Sequence, residues 1–202
     1  MIFKTMLLLP FAYLLGSVPW GVILTRVFSD VDIGSEGSGN IGAYNVFRVA
    51  GKSLGLMTLG GDLLKGAIPV LVGIFWLGVS DWKGEVLVSL IALSAFAGHL
   101  FPLFLGFKGG KGVATAAGCF LVISPLVFLI GVLVYVLVLC SWGYSSAGSL
   151  SAAAILPGAV WLATHSVPLT GCALIMAVII FVRHADNIRR LLKGTEHSSL
   201  RP

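Results

Sequence analysis

Apolar residues dominate this chain in long runs, at 6–28, 54–79, 85–105, 113–140, 147–164 and 168–182. A helix that crosses a bilayer needs about 20 largely apolar residues. The runs therefore predict membrane helices rather than the one-sided stripes of surface helices. Polar residues fall in short interruptions, except at 29–53 and in the tail from 183. No long linker, internal repeat or low-complexity segment divides the chain, so residues 1–202 read as one polytopic membrane domain. The first run follows Lys4 and continues to Phe28, too long for a signal-peptide core, and no A-x-A site follows it. It predicts an uncleaved first span.

The run 113–140 decides the topology. It holds 28 residues, with Pro125 near its middle. Proline lacks an amide donor and clashes with the preceding turn, so a break is expected there. One kinked helix gives six spans and two short helices give seven. With seven spans and the N-terminus outside, the inner face carries Arg26, Arg48, Lys52, Lys65, Lys108, Lys111, Arg183, Arg189, Arg190, Lys193 and Arg201. The outer face keeps only Lys4 and Lys83. Six spans would move the basic tail to the opposite face. The positive-inside rule favours seven. An all-α integral membrane protein is expected, with seven transmembrane helices, the N-terminus outside and the C-terminus cytoplasmic. Residues 113–124 alone rise only about 18 Å at 1.5 Å per residue, so that helix must begin earlier or fall short.

Composition strengthens this picture. Hydrophobic residues are 57% of the chain and charged residues 10%, against about 25% charged in soluble domains. A soluble fold is excluded. The 26 glycines suit close helix approach in lipid. Placement of charge says more than the net +5, and no nucleic-acid partner is expected. Cys119, Cys140 and Cys172 all sit in apolar runs without metal-ligand spacing, and read as buried, inert thiols.

Seven-span parity brings three polar clusters to one cytoplasmic mouth, joined by a fourth inside the membrane. In the first, Ser38, Gly39, Asn40, Asn45 and Arg48 form a glycine-rich segment. It fits GxGxxG but follows a membrane helix, so no dinucleotide fold is implied. Its amides can still form an anion-binding concavity, and Arg48 can grip phosphate bidentately. In the second, Asp62 and Lys65 share a helix face three residues apart. Either they are an ion pair that makes charge tolerable near lipid, or they face a cavity. In the third, His99 precedes Lys108, Gly109, Gly110, Lys111 and Gly112 at a helix start, where dipole, amides and ammonium together would cradle phosphate. This is not a P-loop, because Gly rather than Ser or Thr follows Lys111. In the fourth, His184 and Asn187 share a face of the tail helix, with Glu196 beyond it. No HxxxxD signature follows any histidine, and no metal constellation or cofactor motif is visible.

Together these clusters resemble the bacterial acyl-phosphate:glycerol-3-phosphate acyltransferase family, PlsY. The family motifs run approximately S-G-N-x-G-x-T-N-x-x-R, K-G-G-K-G-V-A-T and R-H-x-x-N-I-x-R-L-x-x-G-x-E. They correspond in order to residues 38–48, 108–115 and 183–196, with a G-D-x-x-K-G element at 61–66. Tyr44 departs from the family's usual Thr. The resemblance implies seven helices and an active site on the cytoplasmic side of the bacterial inner membrane. It implies acyl transfer from acyl phosphate to the 1-hydroxyl of glycerol 3-phosphate, without coenzyme A, cofactor or metal. By analogy Ser38, Arg48, Lys111, His184 and Asn187 bind and orient phosphates, and Glu196 supports the C-terminal structure. A substrate phosphate oxygen would take the hydroxyl proton, with His99 or His184 as the rival base. A monomer that can contact the upstream acyl-phosphate-producing enzyme is the implied assembly. The competing class is a transporter or channel for a phosphorylated solute, which would also want a basic cytoplasmic mouth. No internal symmetry favours it.

Overall fold

A computed structural model describes residues 2–79 and 81–198. Arg201, counted above on the inner face, lies outside them. The described chain is helical: α1 Ile2–Gly16, α2 Trp20–Phe28, α3 Ala43–Ala50, α4 Lys52–Leu77, α5 Trp82–Leu100, α6 Val113–Ile123, α7 Pro125–Trp142, α8 Ser145–Thr164, α9 Val167–Arg183 and α10 Ala185–Leu192. A single 3-10 turn, Leu103–Leu105, follows α5. Among the described residues, four helices are long and apolar enough to cross a membrane, and up to six when each bent helix pair counts as one.

Local chemistry explains where helices stop. Pro125 opens α7 and the extended Ser124 before it closes α6, as the proline rule predicts. The first run is not one helix. It bends by 41° between α1 and α2, where Pro19 precedes the second piece. Asp81 caps α5 by accepting from the Gly84 amide at 2.9 Å, and Ser166 caps α9 by accepting from Leu169; both satisfy otherwise orphaned amide donors.

Helix α5 runs through the centre, burying Ile91, Ala92, Ala95 and Phe96 against Val70, Phe120 and Met176. Helices α4 and α6 approach closely. A Cβ on Gly66 would strike the Thr115 carbonyl, and one on Gly118 would strike the Leu63 carbonyl. Small residues at such crossings substitute for the hydrophobic driving force that lipid removes. Helix α7 is peripheral, with Val127 its one buried residue. Cys140 lies on this helix and is exposed. The expectation of three buried thiols therefore holds only for Cys119 and Cys172.

Contacts at helix ends define two poles. At one, Lys4 donates to the Trp76 carbonyl and Ser166 donates to Glu85. At the other, Arg183 meets Gly109 and Gly110, and Ser146 donates to Glu196. Helix α6 has 11 residues and begins no earlier than Val113. The chain before it folds back along α5, with the Gly110 amide donating to the His99 carbonyl at 3.1 Å. This recess accounts for the short helix.

Candidate active site

The first cluster is organised by Asn45, buried near the start of α3. Its Oδ1 accepts from the Ser38 amide at 2.9 Å and from Arg48 Nη2 at 3.0 Å. Its Nδ2 donates to the Glu36 carbonyl. One amide side chain thus staples the glycine segment to α3. Asn40 does the same locally, accepting from the Gly42 amide at 2.9 Å. Gly39 has a φ of 67°, a conformation that costs glycine little. Ser38, Gly39, Tyr44 and Arg48 are exposed, so the serine hydroxyl and part of the guanidinium remain open to a ligand.

Asp62, Lys65 and His99 are buried, each no more than 4% exposed. Lys65 Nζ is 2.9 Å from Asp62 Oδ1 and donates to the Val18 carbonyl at 2.9 Å, at the break between α1 and α2. His99 Nδ1 stands 3.6 Å from the same carboxylate oxygen. Lys65 and Asp62 thus satisfy each other, as buried charges must, while His99 Nδ1 makes no hydrogen bond among the described residues.

The third and fourth clusters form one network. Lys111 Nζ donates to Asn187 Oδ1 at 2.5 Å. Asn187 Nδ2 donates to Glu196 Oε1 at 2.7 Å, which also accepts from Ser146 at 2.7 Å. Arg190 Nε donates to Glu196 Oε2 at 2.6 Å. His184 Nδ1 is 2.8 Å from the Ile180 carbonyl. A carbonyl only accepts, so Nδ1 carries a proton and Nε2 is the free acceptor when the ring is neutral. Lys108 is exposed. The amides of Lys111 and Gly112 make no hydrogen bond among the described residues.

Burial lowers Lys111 to a pKa of about 8, with Arg190 and Arg183 acting in the same direction and Glu196 opposing them. Burial would raise the Glu196 carboxyl, but hydrogen bonds from Asn187, Ser146 and Arg190 hold it below the usual carboxylate range.

The structure therefore joins residues 109–112 to 183–196, while the Ser38 and Arg48 cluster is organised separately on α3. No hydrogen bond among the described residues links the two groups. Arg183, Arg190 and Ser146 belong to the network but were not among the expected site residues. Arg183 and Arg190 stand in the family-like tail motif, yet their basic charge is accounted for by membrane sidedness. Ser146 carried no motif. Among the described residues, no group of three His, Cys, Asp or Glu could hold a metal.

Known proteins match nearly the whole of this chain. Residues 6–194 match the family described as glycerol-3-phosphate acyltransferase. A glycerol-3-phosphate acyltransferase of Syntrophotalea carbinolica is 49% identical over 186 residues, covering 92% of this chain and 93% of its own. A crystal structure of PlsY, an integral membrane glycerol 3-phosphate acyltransferase in its glycerol 3-phosphate form, superposes with a TM-score of 0.90. It is 37% identical, and the match covers 96% of this chain and 95% of that one. The lysophosphatidic acid form of PlsY gives 0.89 at the same identity and coverage. An all-helical bundle, the ordered motifs and these matches over nearly the whole chain have one reading: the chain belongs to the glycerol-3-phosphate acyltransferase family.

Proposed function

We propose that this membrane acyltransferase moves a fatty acyl group from acyl phosphate to the 1-hydroxyl of glycerol 3-phosphate. The products are lysophosphatidic acid and inorganic phosphate, the opening step of phospholipid synthesis. The observation that carries this reading is the recessed glycine loop, whose Lys111 meets Asn187 at the mouth. Solved relatives in glycerol 3-phosphate and lysophosphatidic acid forms support the substrate and product. The transporter reading is not favoured.

Both substrates carry phosphate, so the site needs several cationic and amide donors. Ser38 and Arg48 serve from α3, with Gly39, Asn40 and Asn45 shaping their segment. Lys108 and Lys111 serve from the loop of Gly109, Gly110 and Gly112, and His184 and Asn187 from the tail. Asp62, Lys65 and His99 back the loop, and Glu196 holds the C-terminal network. The substrate hydroxyl attacks the acyl carbonyl carbon, the bond to phosphate oxygen breaks, and a phosphate oxygen takes the proton. Acyl phosphate is already activated, so no covalent nucleophile is needed. The basic groups neutralise the departing phosphate, where charge develops. His184 Nε2 is the alternative proton acceptor.

The poles of the bundle support seven passes. With the short α6 taken as a pass, α1 with α2, α4, α5, α6, α7, α8 and α9 alternate in direction between the pole of Lys4 and that of Arg183. Charge sidedness supports an Arg183 pole that faces the cytoplasm at a bacterial inner membrane, with the N-terminus outside. The working unit is a monomer that can receive acyl phosphate from the enzyme that makes it. Purified protein given acyl phosphate and glycerol 3-phosphate should release lysophosphatidic acid and phosphate in equal amounts. Failure to form lysophosphatidic acid would remove the reading.

A further inference from the structure

Arg183 ends α9 and turns its side chain back over the loop that precedes α6. Nε donates to the Gly110 carbonyl at 3.1 Å and Nη2 to the Gly109 carbonyl at 2.7 Å. A guanidinium used in this way is not merely a marker of membrane sidedness, and both bonds go to protein carbonyls. On the other side stands His99. Its carbonyl accepts from the Gly110 amide at 3.1 Å. A Cβ on Gly110 would strike His99 Nε2, and one on Gly109 would strike the His99 and Leu100 carbonyls. The two glycines are therefore held between Arg183 and His99.

The peptide between Gly109 and Gly110 is anchored at both ends, its carbonyl by the Arg183 side chain and its amide by the main-chain carbonyl of His99. The next peptide is anchored at one end. Its carbonyl, on Gly110, is held by Arg183, while the Lys111 amide makes no hydrogen bond among the described residues. In a planar trans peptide the carbonyl and amide point in opposite directions, so fixing one aims the other. Glycine would otherwise let this unit rotate freely, and a reversed peptide would present a carbonyl dipole to an anion in place of an amide. Behind the loop, the Asp62 carboxylate, paired with Lys65, stands 3.6 Å from His99 Nδ1.

We infer that Arg183 and His99 are positioning residues, which clamp the two glycine peptides from opposite sides and fix the direction of the Lys111 amide for phosphate. The inference rests on the proposed reading that this loop receives phosphate. It assigns Arg183 a role on protein backbone rather than on substrate.

Arg183→Gln removes the charge, and Arg183→Lys keeps the charge but removes the planar fork. His99→Gln retains a polar side chain against Gly110. Each purified full-length variant is compared with the parent by melting temperature, inhibition by inorganic phosphate, KM for glycerol 3-phosphate, and amide exchange along the chain. With the melt near that of the parent, both Arg183 variants should exchange faster in the peptide spanning 107–113 while other regions hold. Their phosphate inhibition constant and KM should rise about tenfold, the scale of one lost charge-assisted hydrogen bond, with kcat changing less. His99→Gln should move the same quantities in the same direction by less. Unchanged loop exchange and unchanged phosphate inhibition in folded Arg183→Lys would overturn the inference. Faster loop exchange without any change in phosphate inhibition would also overturn it, because the clamp would then not serve phosphate. The parent's acyl transfer tests the proposed function separately from loop exchange.

Discussion

Lys111 and Asn187, 76 residues apart, meet at 2.5 Å, and the asparagine passes the contact on to Glu196. The amide lies between a cation and a carboxylate, with its oxygen toward one and its nitrogen toward the other. Asn187→Asp is the sharp test of that polarity. The new carboxylate would pair with Lys111 and reduce its charge for phosphate, while facing Glu196 as a like charge. We expect kcat/KM to fall by on the order of 1–3 kcal/mol, as charged hydrogen bonds are worth, together with a lower melting temperature. Steady-state rates and a thermal melt would check both; unchanged kcat/KM would sever Asn187 from the site.

The depressed pKa of Lys111 gives a second expectation, with opposite signs for activity and stability. Burial holds the folded value at about 8, against 10.5 for the free side chain. Phosphate binding needs the ammonium, so the alkaline limb of kcat/KM, which reports the free enzyme, should lie near pH 8. Stability moves the other way. The unfolded lysine binds more protons than the folded one between about pH 8 and 10.5, so this group's contribution to stability rises with pH across that window. Alkaline loss of activity with an undiminished melt would identify Lys111. Glu196→Gln removes a charge that favours the ammonium, and should shift the limb to lower pH. A limb that stays in place under this substitution would exclude the coupling.

Much of this was legible in the chain because its signals are local. Pro125 marked the break between α6 and α7. Lys111, His184 and Asn187 stood in motifs whose residue types suit phosphate. What the chain hid depends on tertiary placement. The bend at Pro19 lies within an apolar run that reads as continuous. Arg183 works on peptide carbonyls, which every residue possesses and no motif records. Ser146 gains its role only because Glu196 folds back to the start of α8. The shortness of α6 follows from the recess of residues 109–112, and hydropathy does not encode depth.

Acyl phosphate rather than acyl-CoA should be the donor. The missing HxxxxD signature and the paired phosphate-binding clusters favour a phosphate leaving group. Purified protein offered each donor with glycerol 3-phosphate should form lysophosphatidic acid only with acyl phosphate. Equal or faster turnover with acyl-CoA would overturn this expectation.

Positions 52, 108 and 193 should all face the cytoplasm. Residues 109 and 110 contact Arg183 at one pole, and Lys193 follows α10 at that pole. Single cysteines placed at the three positions, with Cys119, Cys140 and Cys172 replaced, should react with an impermeant thiol reagent only after the membrane is opened. Labelling of position 193 from outside would restore the six-span topology.

Arg48 separates a phosphate clamp from a lipid-headgroup anchor. Its Nη2 is held by Asn45 Oδ1 at 3.0 Å, which fixes the plane of the guanidinium at an exposed position. Asn45 is itself tied to Ser38, so the fork and the serine keep a fixed relation. Arg48→Lys retains the charge but loses the planar pair of donors. A headgroup anchor would tolerate that change. A bidentate phosphate ligand would lose on the order of 1–3 kcal/mol in kcat/KM. Lys111→Arg is the mirror case, because a Cβ on Gly110 or Gly112 would already strike His99 or Phe96, and a bulkier head would crowd the same recess. Rates for both substrates in detergent, beside thermal melts, should show loss in both variants with folding retained. Near-parental rates in both would return these residues to the role of membrane sidedness alone. Loss in Arg48→Lys with the melt unchanged points to a ligand that takes two donors of the fork at once, which two oxygens of a substrate phosphate match.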